Sequence, residues 1–169
     1  MTNKEYFIFR WNYELSITEN AFRSVPENGW EYKPHPKTRC AREIVEHLIG
    51  HPQDLIEAID SGVINHRNMT PYKSLGDAIT SYKNDTALLM KKLETVNEEK
   101  WDKSDIPFFV FGMHLYSLPL RDHCYQLLFD TVHHRGQLST YYRPNGVINP
   151  VIYGATAETV EEMMAKMNK

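Results

Sequence analysis

The most informative stretch of this chain is Leu127-Leu-Phe-Asp-Thr-Val-His-His-Arg-Gly-Gln-Leu138. It predicts a helix on which Asp130 and His134 stand four residues apart, so both side chains lie on one face with Cβ atoms roughly 6 Å apart. Leu127 and Tyr141 share this face, which indicates that it is buried. A buried carboxylate is costly without a cation, a proton or a hydrogen-bond partner beside it. The pattern therefore indicates that Asp130 and His134 hold something, and a metal ion is the sharpest candidate.

The composition is that of an ordinary globular protein with one core. The chain has 169 residues, of which 41% are hydrophobic and 24% charged, and this predicts a single domain over residues 1–169. The formal net charge is -3, which shows no bias toward nucleic acid or an anionic membrane. We therefore expect neither as a partner.

Cysteine usage and hydropathy favour a cytoplasmic protein. The two cysteines, Cys40 and Cys124, fit a reducing compartment, because a domain that depends on disulfides would carry more of them. The amino terminus lacks the basic and then apolar layout of a secretory signal. No apolar run is long enough to span a bilayer.

Helical periodicity dominates the chain. Apolar residues recur at helical spacing over four long stretches, and start or stop signals flank them. We predict helices over about Lys4–Phe22, from the N-cap Thr38 to Ser61, from the N-cap Ser74 to Val96, and from Pro119 to about Tyr142. Four long amphipathic helices in one domain predict an all-α fold, a four-helix bundle.

Two further segments complete the predicted architecture. Pro107–Tyr116 is rich in aromatic and β-branched residues around Gly112, which predicts a short β-hairpin before the fourth helix. Thr156–Met167 is rich in methionine and amphipathic, which predicts a short carboxy-terminal helix.

A metal site can be assembled from two of the predicted helices. Bundle cores commonly hold metals between facing helices, and His47 on the second helix can face Asp130 and His134 on the fourth. Two imidazoles and one carboxylate leave coordination positions open, as in catalytic zinc sites and in the two-histidine, one-carboxylate iron site. Nickel and manganese fit the same ligand types. The alternative is a hydrogen-bond network in the core, in which Asp130 accepts from His134 or His47 without any ion.

The remaining histidines fit this site less well. His51, one turn beyond His47, is the nearest rival ligand, although we expect it to be a partly exposed neighbour near the pocket. His123 lies about two turns from Asp130, or roughly 10 Å, which is too far for a shared ion. His114 could overhang the site from the hairpin. The other histidines are expected to face solvent or loops: His35, His66 and His133.

Arg135 and Gln137, which follow His134, have two possible roles each. They could form a surface ion pair and an ordinary hydrogen bond between helices. Alternatively, either could support the site by orienting a ligating imidazole and fixing its tautomer. Cys124 is better explained as a small core residue than as a nucleophile, because His123 is the one charged activator visible beside it.

Four motifs, in order along nearly the whole chain, resemble those of one known family. They are Arg10-Trp-Asn, Glu43-Ile-Val-Glu-His-Leu48, His133-His-Arg-Gly-Gln-Leu138 and Asn149-Pro-Val-Ile-Tyr-Gly154. Together they resemble the DinB-like (DinB/YfiT) superfamily of small metalloenzymes, which is unrelated to the DNA polymerase of that name. The motif around His134 is the most specific of the four.

The resemblance implies a four-helix bundle, often dimeric, that holds a divalent metal with three histidines. His47 and His134 match the first and third of these ligands, and the middle one falls on Asp130, where the family has histidine. A carboxylate can replace an imidazole, but it lowers the net charge of the site and favours harder metals. We expect zinc or nickel, with manganese or iron as alternatives.

The function expected from these observations is metal-dependent catalysis on a small molecule. Family members that use low-molecular-weight thiols imply a thiol-dependent transferase as the first expectation. Hydrolysis is the second, because a bound metal can also activate water. The resemblance further implies a homodimer. No single residue is singled out as catalytic. The alternative is a non-catalytic metal- or ligand-binding protein of a stress response. A third possibility is a degenerate site in which Asp130 and the histidines form only a polar network.

Overall fold

Helices account for most of the chain in the computed structural model, which describes residues 1–168. They are α1 (Asn3–Arg23), α2 (Ala41–Leu48), α3 (Gly50–Ser61), α4 (Leu75–Thr95), α5 (Glu98–Lys103), α6 (Leu120–Ser139) and α7 (Ala157–Met167), with 3-10 turns at Glu27–Gly29 and Arg143–Asn145. Four helical elements pack together as a bundle: α1, the α2–α3 pair, α4 and α6. The predicted helical fold is thus confirmed.

The second element is broken where a continuous helix was predicted. It ends at Leu48 and resumes at Gly50, because Pro52 has no amide hydrogen to donate to the carbonyl of Leu48 and its ring crowds that carbonyl. The break leaves His47 on the last turn of α2 and His51 on the first turn of α3.

The predicted start of that element at Thr38 is also wrong. The Thr38 hydroxyl donates to the carbonyl of His35, at 2.7 Å between oxygens, and so belongs to the preceding turn. The helix begins instead after Cys40, whose amide donates to the Glu43 carboxylate at 2.6 Å. Ser74, in contrast, is the predicted N-cap of α4, and its hydroxyl accepts from the amide of Asp77.

The predicted hairpin is present and belongs to a small three-stranded sheet. Its strands are β1 (Ile64–Asn65), β2 (Ile106–Val110) and β3 (Met113–Leu118), in the order β1-β2-β3. β2 and β3 are antiparallel, and β1 runs parallel to β2. The two turn residues Phe111 and Gly112 both have positive φ, as a type I′ hairpin turn requires. β1 and α5 were not predicted, because both are too short to show a periodic pattern in the sequence.

Two apolar clusters form the core. One is built around Phe7, Trp11, Leu55, Leu89, Trp101 and Leu120. The other is built around Phe22, Ile44, Val45, Tyr82, Leu138 and Tyr142. Among the described residues, no helix is both long and apolar enough to cross a membrane.

Candidate metal centre

His47, at the end of α2, presents one ring nitrogen to the site and fixes the other outside it. Its Nδ1 lies 3.0 Å from the carbonyl oxygen of Asn68. A carbonyl can only accept, so the proton of the neutral ring sits on Nδ1. The Nε2 atom therefore carries a lone pair, and it lies 3.1 Å from Oδ2 of Asp130.

Asp130 and His134 come from adjacent turns of α6, as their spacing predicts. His134 Nε2 lies 3.5 Å from Oδ1 of Asp130, and His134 Nδ1 lies 2.8 Å from Oε1 of Gln137. The face they share is only partly buried, because the Asp130 side chain is 35% exposed and that of His134 is 13% exposed. The predicted stripe is buried at Leu127, Leu138 and Tyr141, whereas the Asp130 carboxylate on it is open to a cavity.

His51 lies inside the cluster, whereas a partly exposed neighbour was expected. The ring is fully buried, and its Nε2 lies 3.2 Å from Oδ2 of Asp130 and 3.4 Å from Nε2 of His47. The Thr131 hydroxyl donates to the carbonyl of Leu127, so it accepts from Nδ1 of His51, 2.8 Å away. The proton of His51 is thereby also placed on Nδ1, with a bare Nε2 toward the carboxylate.

The donor set fits a divalent cation. One ligand atom each from His47, Asp130 and His134 lie within 4.8 Å of one another. With the outer nitrogens carrying the protons, the atoms that converge are lone pairs and carboxylate oxygens, which repel one another unless a cation or an added proton lies between them. The His-His-Asp cluster can therefore hold a metal ion, and its ligand types match several divalent metals.

The electrostatics of the site favour the ligating forms. Burial lowers the pKa of His51, and it lowers the pKa of His134 to about 4, although Asp130 acts in the opposite direction on both. Near neutral pH, His51 and His134 are therefore uncharged, as metal ligation by imidazole requires.

A cavity of about 840 Å³ opens onto the cluster. His47, Asp130 and His134 lie in its wall together with Arg39 and Asn68. The lining also includes apolar side chains of the sheet and of α6: Phe108, Val110, Tyr116, Leu118, Leu127 and Phe129. A small organic molecule could thus sit beside the candidate ligands with its apolar part against the sheet.

Arg135 lies away from the site. It neither supports a ligand nor forms a surface ion pair, which were the two roles expected for it. It is fully buried, and its Nη2 lies 2.6 Å from Oε2 of Glu14, which is also buried. Its Nη1 donates to the Thr18 hydroxyl at 2.9 Å, and the Tyr153 hydroxyl completes the network. Because all these partners belong to α1 and the carboxy-terminal tail, Arg135 joins those segments to α6.

Gln137, in contrast, contacts a candidate ligand directly. Its side-chain oxygen accepts from Nδ1 of His134, and its side-chain nitrogen lies 2.9 Å from Nε2 of His133. An outer acceptor of this kind orients the imidazole and holds its proton away from the site. This is the supporting role that the sequence analysis considered for Gln137.

The other histidines divide into near and remote groups. His66 was expected to face solvent or a loop, but its ring packs against that of His47, with centroids 5.1 Å apart, and its Nδ1 lies 2.6 Å from Oδ2 of the buried Asp54. His114 does not overhang the site, because it bonds to Ser117 on the exposed face of the hairpin. His123 is remote and buried, and its Nε2 lies 2.8 Å from the carbonyl of Ile106.

Neither cysteine is placed to act as a nucleophile. Cys124 is fully buried, and burial raises the pKa of its thiol well above the ordinary value. Cys40 is also buried and has a raised pKa, with burial as the main cause. Both therefore remain protonated near neutral pH.

Arg39, Asn68 and His66 were missed as site residues. All three lie on irregular segments that flank helices or strands, so no helical spacing links them to His47 or Asp130. For His51, by contrast, the sequence did contain a signal. Its i,i+4 spacing from His47 could have placed its side chain in the site.

Solved structures provide the comparison. The chain aligns with a DinB-like protein from Bacillus subtilis at a TM-score of 0.66 and 19% identity, over 89% of this chain and 99% of that one. It aligns with a DinB-like protein from Bacillus cereus at a TM-score of 0.69 and 14% identity, over 88% and 97%. The chain has the DinB-like fold. The resemblance inferred from the motifs is therefore confirmed at the level of the fold.

The sequence comparisons add nothing to this assignment. Neither a protein-family model nor a curated protein matches the sequence. Within the DinB-like fold, the assignment of chemistry therefore depends on the side chains themselves, and above all on His47, Asp130 and His134.

Proposed function

We propose that this DinB-like protein is a divalent-metal-dependent enzyme that acts on a small molecule. The observation that carries the proposal is the convergence of one ligand atom each from His47, Asp130 and His134 within 4.8 Å, with the Nδ1 atoms of the two imidazoles bonded to Asn68 and Gln137. A site intended only as a hydrogen-bond network would place a proton between such atoms. Here the neighbours direct the protons outward.

His47, Asp130 and His134 are the proposed ligands, and the chain prepares them for the metal. Asn68 and Gln137 hold the two imidazoles in the tautomer that ligates. Three protein ligands leave positions for a substrate on the side of the cavity. A bound divalent ion would supply Lewis acidity, which lowers the pKa of a thiol or water nucleophile at this point. Zinc or nickel is the proposed metal, and manganese or iron(II) is the alternative that the carboxylate makes plausible.

Thiol transfer is the first proposed reaction and hydrolysis the second. The motif resemblance favours a low-molecular-weight thiol as co-substrate. The cavity supports a small organic acceptor, because its volume is about 840 Å³ and its wall includes Phe108, Tyr116 and Phe129. These side chains would bind the apolar part of the acceptor and exclude water from it.

Metal content and thiol-dependent turnover, measured on the same preparations, test this function. Protein purified without an affinity tag should contain about one divalent ion per chain, by the ligand count of a mononuclear site. It should also accelerate the reaction of low-molecular-weight thiols with an electrophile such as 1-chloro-2,4-dinitrobenzene. His47→Ala should lose both properties, whereas His114→Ala, which replaces a histidine outside the cavity, should keep both.

The same experiment separates the alternatives. Tight metal binding without turnover of thiol or hydrolytic substrates would favour the non-catalytic metal- or ligand-binding protein. Absence of metal binding tighter than about millimolar for zinc, nickel, manganese and iron(II) would favour a polar network without an ion.

A homodimer and a cytoplasmic location complete the proposal. Large apolar side chains are exposed on the hairpin and on α7, including Phe111, Met113, Met163 and Met164, and such surfaces support association with two-fold symmetry. Light scattering at tens of micromolar, roughly the range of weak dimers, would count against the dimer if it detected monomer alone. Two free cysteines, Cys40 and Cys124, fit the reducing cytoplasm.

A further inference from the structure

Arg39 differs from the other arginines of the described chain because no carboxylate pairs with it. Every other arginine lies within ion-pair distance of an acidic side chain. The pairs are Arg10–Glu14, Arg23–Glu19, Arg42–Glu31, Arg67–Asp54, Arg121–Asp102, Arg135–Glu14 and Arg143–Glu158. A guanidinium that lacks such a partner beside a cavity is available to bind an anion.

Neutral acceptors hold Arg39 in place at the mouth of the metal centre. Its Nη2 donates to the side-chain oxygen of Asn68 at 2.6 Å, and its Nη1 lies 3.3 Å from Nε2 of His134. Asn68 also accepts from His47 through its backbone carbonyl. Arg39 is therefore oriented by the residues that orient the ligands, while its positive charge stays uncompensated by any of them.

One of these two contacts is incompatible with a metal at the proposed centre. The lone pair of His134 Nε2 can accept from Arg39 or ligate an ion, but it cannot do both. When His134 serves as a ligand, an N–H of Arg39 is released toward the cavity that both residues line. Asn68 still holds the other arm of the guanidinium, so the freed donor remains positioned.

The rest of the cavity indicates what kind of anion would fit. Arg39 is the one arginine among the described residues that line this cavity, and no lysine joins it, so it can offset a single negative charge on a ligand. Phe108, Val110 and Phe129 offer apolar surface in the same cavity. A single planar carboxylate, which matches the fork of a guanidinium, joined to an apolar or aromatic body fits these features better than a phosphate monoester.

We infer that Arg39 binds the carboxylate of the small-molecule substrate, whose apolar body lies against the aromatic wall of the cavity. The inference deepens the proposed function, and it rests on that function for the claim that the bound carboxylate is a substrate. The binding of the carboxylate to Arg39 rests on the arginine and the cavity alone. It can therefore fail or succeed independently of the metal.

Isothermal titration with two matched probes tests the inference. The probes are 3-phenylpropionate and its neutral amide, 3-phenylpropanamide, each titrated into zinc-loaded and chelator-treated protein. Wild-type protein should bind the carboxylate about tenfold more tightly than the amide, as expected for a charge-assisted hydrogen bond. Arg39→Met should bind both probes equally, and Arg39→Lys should keep part of the preference. Arg42→Met, which removes a nearby arginine already paired with Glu31, should behave like wild type.

Four outcomes would overturn the inference. Equal binding of the two probes by wild-type protein, or binding of neither, would remove the evidence for a carboxylate site. An undiminished preference in zinc-loaded Arg39→Met would show that the metal, not Arg39, binds the carboxylate. Loss of zinc from Arg39→Met would assign Arg39 to the positioning of His134. If the protein binds no metal at all, the chelator-treated titrations still decide the role of Arg39, so failure of the proposed function remains distinguishable.

Discussion

The Nε2 atom of His47 lies 3.1 Å from Oδ2 of Asp130, and neither atom carries a proton while His47 is neutral. The reason is local, because Nδ1 of His47 donates to the backbone carbonyl of Asn68. A lone pair therefore faces a carboxylate at hydrogen-bond distance. The arrangement is favourable when a cation lies beside both atoms, and this is the central argument for a metal centre.

His51 should tune the centre without being one of its three principal ligands. Its Nε2 lies 3.2 Å from the same Asp130 oxygen, but the set of ligand atoms within mutual reach is His47, Asp130 and His134. We expect His51→Ala to keep one ion per chain and to weaken its affinity by about 10–100-fold, as removal of a neighbouring group does. Competition with a chromogenic chelator measures both quantities. Complete loss of metal would make His51 a required ligand.

The buried pair of Arg135 and Glu14 should contribute strongly to stability. Arg135→Ala leaves the Glu14 carboxylate buried with one remaining cation, Arg10, which contacts its other oxygen at 2.7 Å. We expect a loss of about 3 kcal/mol in the free energy of unfolding, at the low end for a broken buried pair because Arg10 remains.

Urea unfolding measures this loss, and an exposed pair provides the control. Arg143→Ala breaks an ion pair with Glu158 at the surface, and it should cost less than about 1 kcal/mol. Similar losses for the two variants would contradict the structural role assigned to Arg135.

Acidification should destabilise the protein through its buried histidines. Burial lowers the pKa of His123, whose Nδ1 has no hydrogen-bond partner. The unfolded chain therefore binds more protons than the folded one below about pH 6.5, the ordinary histidine value, and stability falls as the pH drops. His134, with its pKa of about 4, acts in the same direction.

A single substitution isolates the contribution of His123. In chelator-treated protein, the unfolding free energy of His123→Phe should fall less steeply than that of the wild type as the pH drops below about 6.5, the ordinary histidine value. The phenyl ring can occupy the same place beside Phe108 and Tyr116. Identical pH slopes for variant and wild type would show that His123 is not protonated on unfolding.

The hairpin turn offers a stabilising substitution. Phe111 has a φ of 50° and is 79% exposed, so it carries the strain of a left-handed conformation with little burial in return. Phe111→Asn should raise the free energy of unfolding by about 1 kcal/mol, because asparagine tolerates this conformation. Phe111→Val, a β-branched replacement, should lower it. Thermal unfolding measures both changes. A Phe111→Asn variant less stable than the wild type would contradict the claim that Phe111 is strained in this turn.

Helical spacing in the sequence was sufficient to predict the bundle and to place Asp130 and His134 on one face of a helix, whereas His47 was added as a residue of a facing helix and by the family resemblance. The four-residue step from Asp130 to His134 holds because α6 is regular through both residues. The step from His47 to His51 crosses the break before Pro52, and both imidazoles still face Asp130. The i,i+4 spacing therefore predicts which side chains face the same point, but it does not predict how deeply each side chain is buried.

The remaining features depend on contacts between distant segments. Arg135 was expected at the surface or beside the site. Its partner Glu14 is 121 residues away in sequence, so no local pattern could predict their contact. Arg39, Asn68 and His66 lie on irregular segments, where side-chain directions follow from tertiary packing and not from a period. No pattern within a single segment could have placed them around the cavity.

The metal stoichiometry of Asp130 variants shows whether Asp130 is a ligand of the proposed centre. Elemental analysis should find about one divalent ion per chain in wild-type protein, as for a mononuclear site. Asp130→Ala should lose it as completely as His134→Ala, and Asp130→His should regain binding with a preference for zinc and nickel, which favour imidazole. His114→Ala is the control. An Asp130→Ala protein that keeps its full complement of metal would contradict the account, and His51 would then be the first candidate for the third ligand.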